Sequence, residues 1–589
     1  MTQTKIMASV AMLKVMERWG IKNIYGYPAG SVNSLMNALD YEKNQINFIQ
    51  IRHEQVGALA ASAHAKLTRQ IGATFGSAGP GAVNLLNGLY DAKADHVPVL
   101  AIVGQINSAD LNHNCFQEFQ EEPIFQDVAC YDRVAITPQS LPEITNQAIR
   151  AAYQNQGVAV IIIPNNLGFI KIKPNLVHST GIKPEKTRLP INDQETNKFI
   201  QILRQANRPV ISVGVNNHLN GSLLVKLSEK FQIPVVSSGL AKGKITQNYQ
   251  AELGIYNWGA SKPAKEIKAA ADLVIIIGND PDFDYPNHVV DSAKYIQITN
   301  DRQNLGRHHS LILGIIANPN DFINKIIKAK FSVKSRPFFR AAILDKKNWQ
   351  NYLNQLMTSK QIPLQPAQVY QQINQIANDH AIFAVDTGDN IINGFRYLKL
   401  GNQNKIVISA QFATMGISIP GAIAAQLDFP NRQIFSITGD GAFSMVMQDL
   451  ITERKYHLPI INVITSNQTT NLIKSEQENL SIPTFGIGLI NQNFKMIANG
   501  MGIKAANATD YQTLSEAFRR AKRITKTGQP FLISVQITSK RGLPAENLRI
   551  NYHNHNLCET VPNYRSLRDF FNQYSGNNLK SLPRIIRMI

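Results

Sequence analysis

Little in this 589-residue chain speaks for covalent or metal cross-linking. Its three cysteines, Cys115, Cys130 and Cys558, are scattered and form no C-x-x-C pair. That excludes a disulfide framework and a cysteine-rich zinc site, and it fits a reducing, cytoplasmic compartment. No apolar run reaches the length of a membrane span. No basic-then-apolar leader opens the chain, because MTQTKIMASVAMLKVMERWG already reads as an amphipathic helix. Acidic residues are scarce beside basic ones, 41 against 60, and the formal net charge is +19. Lys and Arg are nevertheless spread along the chain, with no basic block and no basic-aromatic module. No nucleic-acid partner is therefore expected, and the basic surface suits solubility and anionic substrates. Two common phosphate-binding signatures are also missing: there is no G-x-x-x-x-G-K-[ST], and no G-x-G-x-x-G opens a helix after a strand.

What is present is an alternation of apolar strand-length runs with helical patterns. NIYGY, IGATFGS, VPVLAIVG and GVAVIIIP form an early set, and RPVISVGV, IPVVSS, DLVIIIGND and YIQIT a middle one. AIFAVDTGD, KIVIS, QIFSITGD, PIINVIT and PFLISVQI form a late set. Continuous apolar runs point to parallel strands covered on both faces. The fold class is α/β, with three doubly wound parallel-sheet domains. Polar, strand-poor stretches near 170–193 and 329–350 read as linkers. The expected domains are 1–180, 190–330 and 355–545, followed by a C-terminal extension, 546–589. The closing RIIRMI is short and proline-interrupted, which favours a packed helix end over a membrane contact.

The late set carries the chemistry. QIFSIT ends in Asp440 between Gly439 and Gly441, and PIINVIT ends 27 residues later in Asn467. Ligands of open parallel sheets bind beyond the carboxyl ends of strands. A hard divalent cation such as Mg²⁺ takes one or two oxygens from protein and the rest from phosphate and water. Asp440, Asn467 and a backbone carbonyl, that of Thr469, would suit it. The glycines permit tight turns, and a helix beginning near Ala442 would present N–H groups to a diphosphate. An Asp capping the next helix is the alternative for Asp440 alone; Asn467 on the neighbouring strand favours the metal.

Earlier, Glu54 follows the strand FIQIR at the head of an Ala-rich helix. Close packing there would bury the carboxyl at least partly and raise its pKa, so that it could share a proton with a ring nitrogen. Taken alone, it reads equally as a first-turn Glu favoured by the helix dipole. The glycine-rich turn GSAGPGAVNLLNGLYDA follows the next strand and could bring backbone close to a ligand.

Together RHE, GSAGPG, GDG and Asn467 resemble the thiamin-diphosphate enzyme family. The likeness extends over about residues 5–550 and is nearest to bacterial pyruvate oxidases, through GSAGPGAVNLLNGLYDAKADHVPVLAIVGQ, FQEFQEEP, FATMGISIPGAIAAQL, MQDL, YHLPIINV, IKSEQE and GLPAENLR. It implies a pyrimidine-binding first domain, a central FAD-binding-like domain and a third domain for diphosphate and Mg²⁺. It also implies a homodimer or homotetramer with active sites at the dimer interface.

The resemblance assigns roles as well. Glu54 would hydrogen-bond the aminopyrimidine, Met415 would wedge the cofactor into a bent shape, and Gly30 and Ser31 would lie over the thiazolium. Phe116, Gln117 and Glu476 would line the substrate pocket. Read without the family, they are a core aromatic, a loop polar group and a solvated helix residue. Gly214, Asn217, Gly278 and Asn279 would serve the flavin. The implied reaction is decarboxylation of pyruvate with phosphate and oxygen to acetyl phosphate, carbon dioxide and hydrogen peroxide, by way of hydroxyethyl-thiamin diphosphate and FAD. An acetolactate synthase-type carboligase or a non-oxidative 2-oxo acid decarboxylase is the alternative.

Several positions depart from the oxidase pattern. Asn84 stands where a histidine is usual, and Thr469, Thr470, Asn471 and Leu472 replace Gln-Tyr-Gly-Phe. Thr387 replaces a smaller apolar residue. In the central domain Trp258 replaces an arginine, Thr299 an acidic residue, and Asn216 the second glycine of the dinucleotide loop.

Overall fold

The computed structural model describes residues 5–42, 45–173, 190–214, 219–246, 248–256, 259, 261–279, 293–333, 335–490, 492–540, 548–550 and 557–559. Asn216, Asn217, Trp258 and the closing RIIRMI lie outside the described residues.

Three six-stranded sheets organise the chain, and all their strand pairs are parallel. The first runs edge to edge through Asn47–Gln50, Asn23–Gly26, Gly72–Gly76, Val99–Gln105, Val158–Pro164 and Ala129–Val134. The third runs through Lys405–Val407, Ile382–Val385, Ile434–Gly439, Ile460–Ser466, Phe531–Gln536 and Lys504–Ala508. Counted within each sheet, both follow the order 2-1-3-4-6-5. The middle sheet differs. It runs through Glu252–Ile255, Val235–Ser237, Pro209–Val213, Leu273–Ile277, Lys294–Thr299 and Leu311–Ile316, the order 3-2-1-4-5-6 of dinucleotide-binding folds. The middle order reverses once, at its first strand; the other two reverse at their first strand and again at their sixth. In such sheets the reversal at the first strand opens a crevice at the carboxyl edge.

The strands are apolar throughout because both faces are covered. Every residue of Val158–Pro164 is buried, as is every residue of Leu273–Ile277. Each aliphatic side chain so buried contributes about 1.5–3 kcal/mol. The Ala-rich helix Glu54–Thr68 packs on helix Pro80–Ala94 and on helix Ser418–Asp428 of the third unit. A Cβ on Gly88 would come 2.5 Å from the backbone nitrogen of Leu59, so the first pair of helices needs glycine to approach this closely. Polar pairs flank the packing: His64 Nδ1 hydrogen-bonds Asp428 at 2.7 Å, and Lys66 Nζ lies 2.7 Å from both Asp91 and Asp95. The first and third units thus share one hydrophobic core.

The stretch near 329–350 is not a linker. Pro337–Thr358 is one helix of 22 residues. Its buried apolar residues Phe338, Ala341, Ala342, Trp349, Leu353 and Met357 recur at helical spacing among polar neighbours. Phe338, Ala341 and Ala342 enter the core of the middle unit, whereas Trp349, Leu353 and Met357 enter that of the third. The apolar stripe divided between two cores gives the segment its polar average. Near the C-terminus, Leu548–Ile550 pairs antiparallel with Leu557–Glu559.

Candidate active site

In the third unit the strand Ile434–Gly439 delivers Asp440 to the carboxyl edge, next to Ile460–Ser466. Asp440 is buried and fully engaged. Its Oδ2 accepts from Ser466 Oγ at 3.0 Å, Asn467 N at 3.1 Å and Gln468 N at 2.8 Å, and its Oδ1 accepts from Gly441 N at 2.9 Å. Gln468 takes a left-handed φ of 57°, which turns the chain back over the carboxylate. Asn467 Oδ1 accepts from Thr469 N at 3.1 Å. The helix starts at Asp440 itself, two residues before Ala442, because the backbone N–H of Gly441 already bonds the Asp440 side chain.

A cavity of about 970 Å³ opens at this edge. Met415, Gly439, Asp440, Gly441, Asn467, Thr469 and Glu476 all line it, with Thr387 and Leu472 beside them. A Cβ on Gly441 would lie 3.3 Å from Leu489 Cδ1, a tight contact, and 3.5 Å from Met415 Cε, an ordinary one. Glu476 is solvent-exposed along the helix Asn471–Asn479, yet it faces this cavity. Among the described residues there is no group of three or more His, Cys, Asp or Glu that could hold a metal. The Asp440–Asn467 pair offers one carboxylate and one amide oxygen, a set that fits a hard cation completed by phosphate oxygens and water.

Beneath the cavity lies a carboxylate that sequence reasoning passed over. Asp386 ends the neighbouring strand Ile382–Val385 and is fully buried. It accepts from Gly416 N at 2.7 Å and from Thr387 N, Ser418 Oγ and Thr438 Oγ1 at 2.9 Å each. Burial pushes its pKa up while these four donors oppose the shift. Its signal was available: AIFAVDTGD repeats the strand–Asp–Gly pattern of QIFSITGDG. Asn390, also buried, accepts from Thr465 Oγ1 at 3.0 Å and stands behind Gly439.

The residues singled out in the first unit gather elsewhere, at the carboxyl edge of their own sheet. Glu54 opens its helix and is partly buried. Asn84 Nδ2 donates to Glu54 Oε2 at 3.0 Å. A Cβ on Gly81 would lie 3.2 Å from Glu54 Oε1. Ser31 Oγ accepts from Ala78 N at 2.8 Å, while Gly30 faces open space. Gln117 adopts a φ of 61°, and Phe116 is 88 % exposed, so it is no core aromatic. None of these lines the third-unit cavity. Within one chain the two groups of candidate residues are therefore separate.

At the reversal point of the middle sheet, Gly214 and Gly278 follow adjacent strands. A Cβ on Gly214 would overlap the carbonyl oxygen of Asn279, so protein backbone already demands that glycine. Thr299 Oγ1 donates to Asn279 Oδ1 at 2.6 Å, and Asn279 Nδ2 donates to Asp301 Oδ2 at 3.2 Å. An acidic residue thus stands at this edge after all, two positions beyond Thr299.

Family patterns match along the chain in the same three parts. Residues 7–124 match the thiamine pyrophosphate enzyme N-terminal TPP binding domain, 196–326 the central domain and 386–535 the C-terminal TPP binding domain. The chain is 42 % identical to a pyruvate oxidase of Lactiplantibacillus plantarum over 588 residues, covering 99 % of this chain and 96 % of that one. The chain belongs to the thiamin-diphosphate enzyme family. A putative thiamine pyrophosphate-containing protein of Bacillus subtilis is 36 % identical, over 92 % of this chain and 93 % of its own. A probable acetolactate synthase large subunit of Methanococcus aeolicus is 26 % identical, over 90 % and 92 %. The enzyme is thiamin-diphosphate-dependent and pyruvate oxidase-like, and the Glu54 and Asp440 groups of residues fall in the N-terminal and C-terminal TPP binding domains, respectively. No helix among its described residues is long and apolar enough to cross a membrane.

Proposed function

We propose that the enzyme oxidatively decarboxylates pyruvate with phosphate and oxygen, giving acetyl phosphate, carbon dioxide and hydrogen peroxide, with thiamin diphosphate, Mg²⁺ and FAD bound. The observation that carries this reading is the 42 % identity to a pyruvate oxidase over nearly the whole of both chains. The cavity adds physical support. Gly239, Leu240 and Tyr256 of the middle unit line the same space as Met415, Asp440 and Glu476 of the third, so groups held by the two units would share one enclosure. The 3-2-1-4-5-6 sheet suits a dinucleotide laid across Gly214, Gly278 and Asn279.

Bound here, thiamin diphosphate supplies the carbon nucleophile and electron sink, and FAD the two-electron acceptor. The protein's own part is to bind, bend and shield. Asp440, Asn467 and the Thr469 carbonyl would hold the metal, and the metal would neutralise the diphosphate. Met415, on the wall of the same cavity, would favour a bent form of the bound cofactor. Glu54, steadied by Asn84, holds a proton against the pyrimidine ring nitrogen. Phe116, Gln117 and Glu476 orient the 2-oxo acid. The two half-sites of one chain point into different spaces, so the working site pairs the first unit of one chain with the third unit of another. The exposed rings of Phe116 and Phe485, 88 % and 86 % accessible in one chain, suit burial in such a homodimer or a tetramer of dimers.

The test is an anaerobic spectrum. A yellow protein that bleaches with pyruvate, and forms peroxide and acetyl phosphate on admitting air and phosphate, is the expected result. A colourless protein sinks the oxidase reading. Leu472 on the cavity wall, in place of an aromatic, favours a second reading, carboligation to acetolactate. Acetolactate formation without peroxide would establish it.

A further inference from the structure

The run from Asn107 to Gln120 is a loop in which no residue is buried. It presents Phe116 and Gln117. Its backbone is sharply bent, with left-handed φ angles of 68° at Asn112, 55° at Asn114 and 61° at Gln117. Within the loop, Glu118 accepts from the backbone N–H groups of Asn112 and Cys115 and so holds the curl. The first buried residue beyond it is a carboxylic acid, Glu121, where an apolar side chain is the usual anchor.

Glu121 ties this loop to two fixed parts of the fold. Gln105 ends the strand Val99–Gln105, and its Nε2 donates both to the Phe119 carbonyl at 2.7 Å and to Glu121 Oε2. Gln105 Oε1 accepts from Ile106 N at 2.7 Å, so the amide is itself held in place. The backbone N–H of Gly79 lies beside the Glu121 carboxyl. Gly79 has a φ of 67° at the head of the helix Pro80–Ala94, and the atom nearest to a Cβ there would be the Gln117 carbonyl oxygen, at 3.9 Å. Two residues on, Gly81 borders Glu54. The Glu121 carboxyl, the Gln117 backbone and Glu54 thus border one glycine turn.

We propose that Glu121 is a positioning residue which, with Gln105, fixes the loop that presents Phe116 and Gln117 to the 2-oxo acid. The inference rests on the reading of those two residues as substrate-orienting. Glu121 does this as a neutral acid. Burial raises its pKa to about 7 and Glu118 adds to the rise, against the N–H groups of Glu121, Gly79 and Gln105. Its Oε1 has no hydrogen-bond partner, which a neutral carboxyl tolerates better than a carboxylate. Glu122 stands next to it in the chain. The elements packed on its short helix, Glu121–Phe125, bring Tyr90, Asp91 and Lys93 from Pro80–Ala94 and Cys130, Tyr131, Asp132 and Arg133 from Ala129–Val134, whereas Val158–Pro164 brings no titratable group. Asp91 is taken by Lys66, and Lys93 by Asp127. Ionised, Glu121 would repel Glu118 and set a further negative charge beside a loop that receives an anionic substrate.

The test reads loop and reaction separately, in the holoenzyme loaded with thiamin diphosphate and Mg²⁺. Hydrogen–deuterium exchange of the peptide covering residues 107–120 is followed without substrate at pH 6 and pH 8. Glu121→Gln keeps the neutral shape, so it should match wild type at pH 6 and exchange more slowly than wild type at pH 8. Glu121→Ala should exchange faster than wild type at pH 6. Carbon dioxide release from pyruvate is the second readout. Glu121→Ala should lower kcat/KM at pH 6 by about 10- to 100-fold, the scale of a small misplacement of reacting groups. The kcat/KM ratio of Glu121→Gln to wild type should climb as pH rises through about 7. A merely structural Glu121 would lower Tm in the variants and leave that ratio flat. The proposal is overturned if the loop exchanges alike in all three proteins, or if the ratio stays flat. A wild type that releases no carbon dioxide from pyruvate sinks the reaction reading alone, and exchange still decides whether Glu121 fixes the loop.

Discussion

Asn84 donates its side-chain amide to Glu54 at 3.0 Å, and Gly81 keeps the space beside the second Glu54 oxygen clear. One of the positions at which this chain departs from the oxidase pattern is therefore bonded to the carboxylate proposed to act on the cofactor. Glu54→Gln should retain the fold and lower kcat by about 10²–10⁴-fold, the range of a lost proton-transferring group. Asn84→Ala should lower it by about tenfold, since a hydrogen bond to a charged group contributes about 1.5–3 kcal/mol. Steady-state kinetics with circular dichroism as the folding control reads both. Near-normal turnover of Glu54→Gln removes the carboxylate from the mechanism.

Legibility in the sequence followed physical locality. The buried parallel strands were readable because both-face burial leaves unbroken apolar runs, as in GVAVIIIP. Asp440 and Asn467 were readable because strand-end position and glycine flanks are local signals. The helix Pro337–Thr358 was hidden, because its apolar stripe serves two cores and averages out as polar. The separation of Glu54 from the Asp440 cavity was not legible from spacing at all; it follows from which helix faces pack between the units. Asp301 was missed for a similar reason, since only the Asn279–Thr299 contacts bring it to the middle-sheet edge.

Glu121 gives the enzyme a pH-dependent stability. It is buried beside the end of the strand Val99–Gln105, where Gln105 Nε2 donates to it. Burial raises its pKa from 4.5 to about 7, against opposing backbone N–H groups of Glu121 and Gly79. Between those values the folded chain keeps a proton that the unfolded chain has released. Its contribution to stability therefore declines as pH rises from about 4.5 to about 7 and is level above that. Urea melts at pH 5 and pH 7.5 should show this loss in the wild type and a smaller one in Glu121→Gln. Equal losses in the two proteins exclude Glu121 as the source.

Gly214 tests the middle unit. A Cβ there would strike the Asn279 carbonyl, and backbone cannot move aside as a flexible side-chain tip can. Gly214→Ala should force apart the strands Pro209–Val213 and Leu273–Ile277 at their carboxyl ends. A cost of about 1–3 kcal/mol is the usual scale of such overpacking. If a flavin lies at this edge, the variant should also release it, read as loss of absorbance near the visible flavin band after desalting. A lowered Tm with flavin fully retained would separate the packing role of this glycine from any ligand role.

Asp440 carries two burdens that substitutions can divide. Four donors converge on its carboxylate, three of them backbone N–H groups from both sides of the turn. Asp440→Ala leaves those donors facing a low-dielectric pocket, and each unsatisfied group costs about 1–3 kcal/mol. The variant should melt lower even without cofactor. Asp440→Asn keeps the shape and one acceptor oxygen but loses the charge, so its apo stability should suffer less. Its affinity for thiamin diphosphate with Mg²⁺ should still fall at least about tenfold, because the substitution removes the negative charge that the Asp440–Asn467 pair brings to the cation. Calorimetric titration of both variants, beside melts of the apo forms, distinguishes the roles. If Asp440→Asn binds the cofactor and metal as the wild type does, Asp440 is a capping residue of the helix it opens, and the cation must be sought elsewhere.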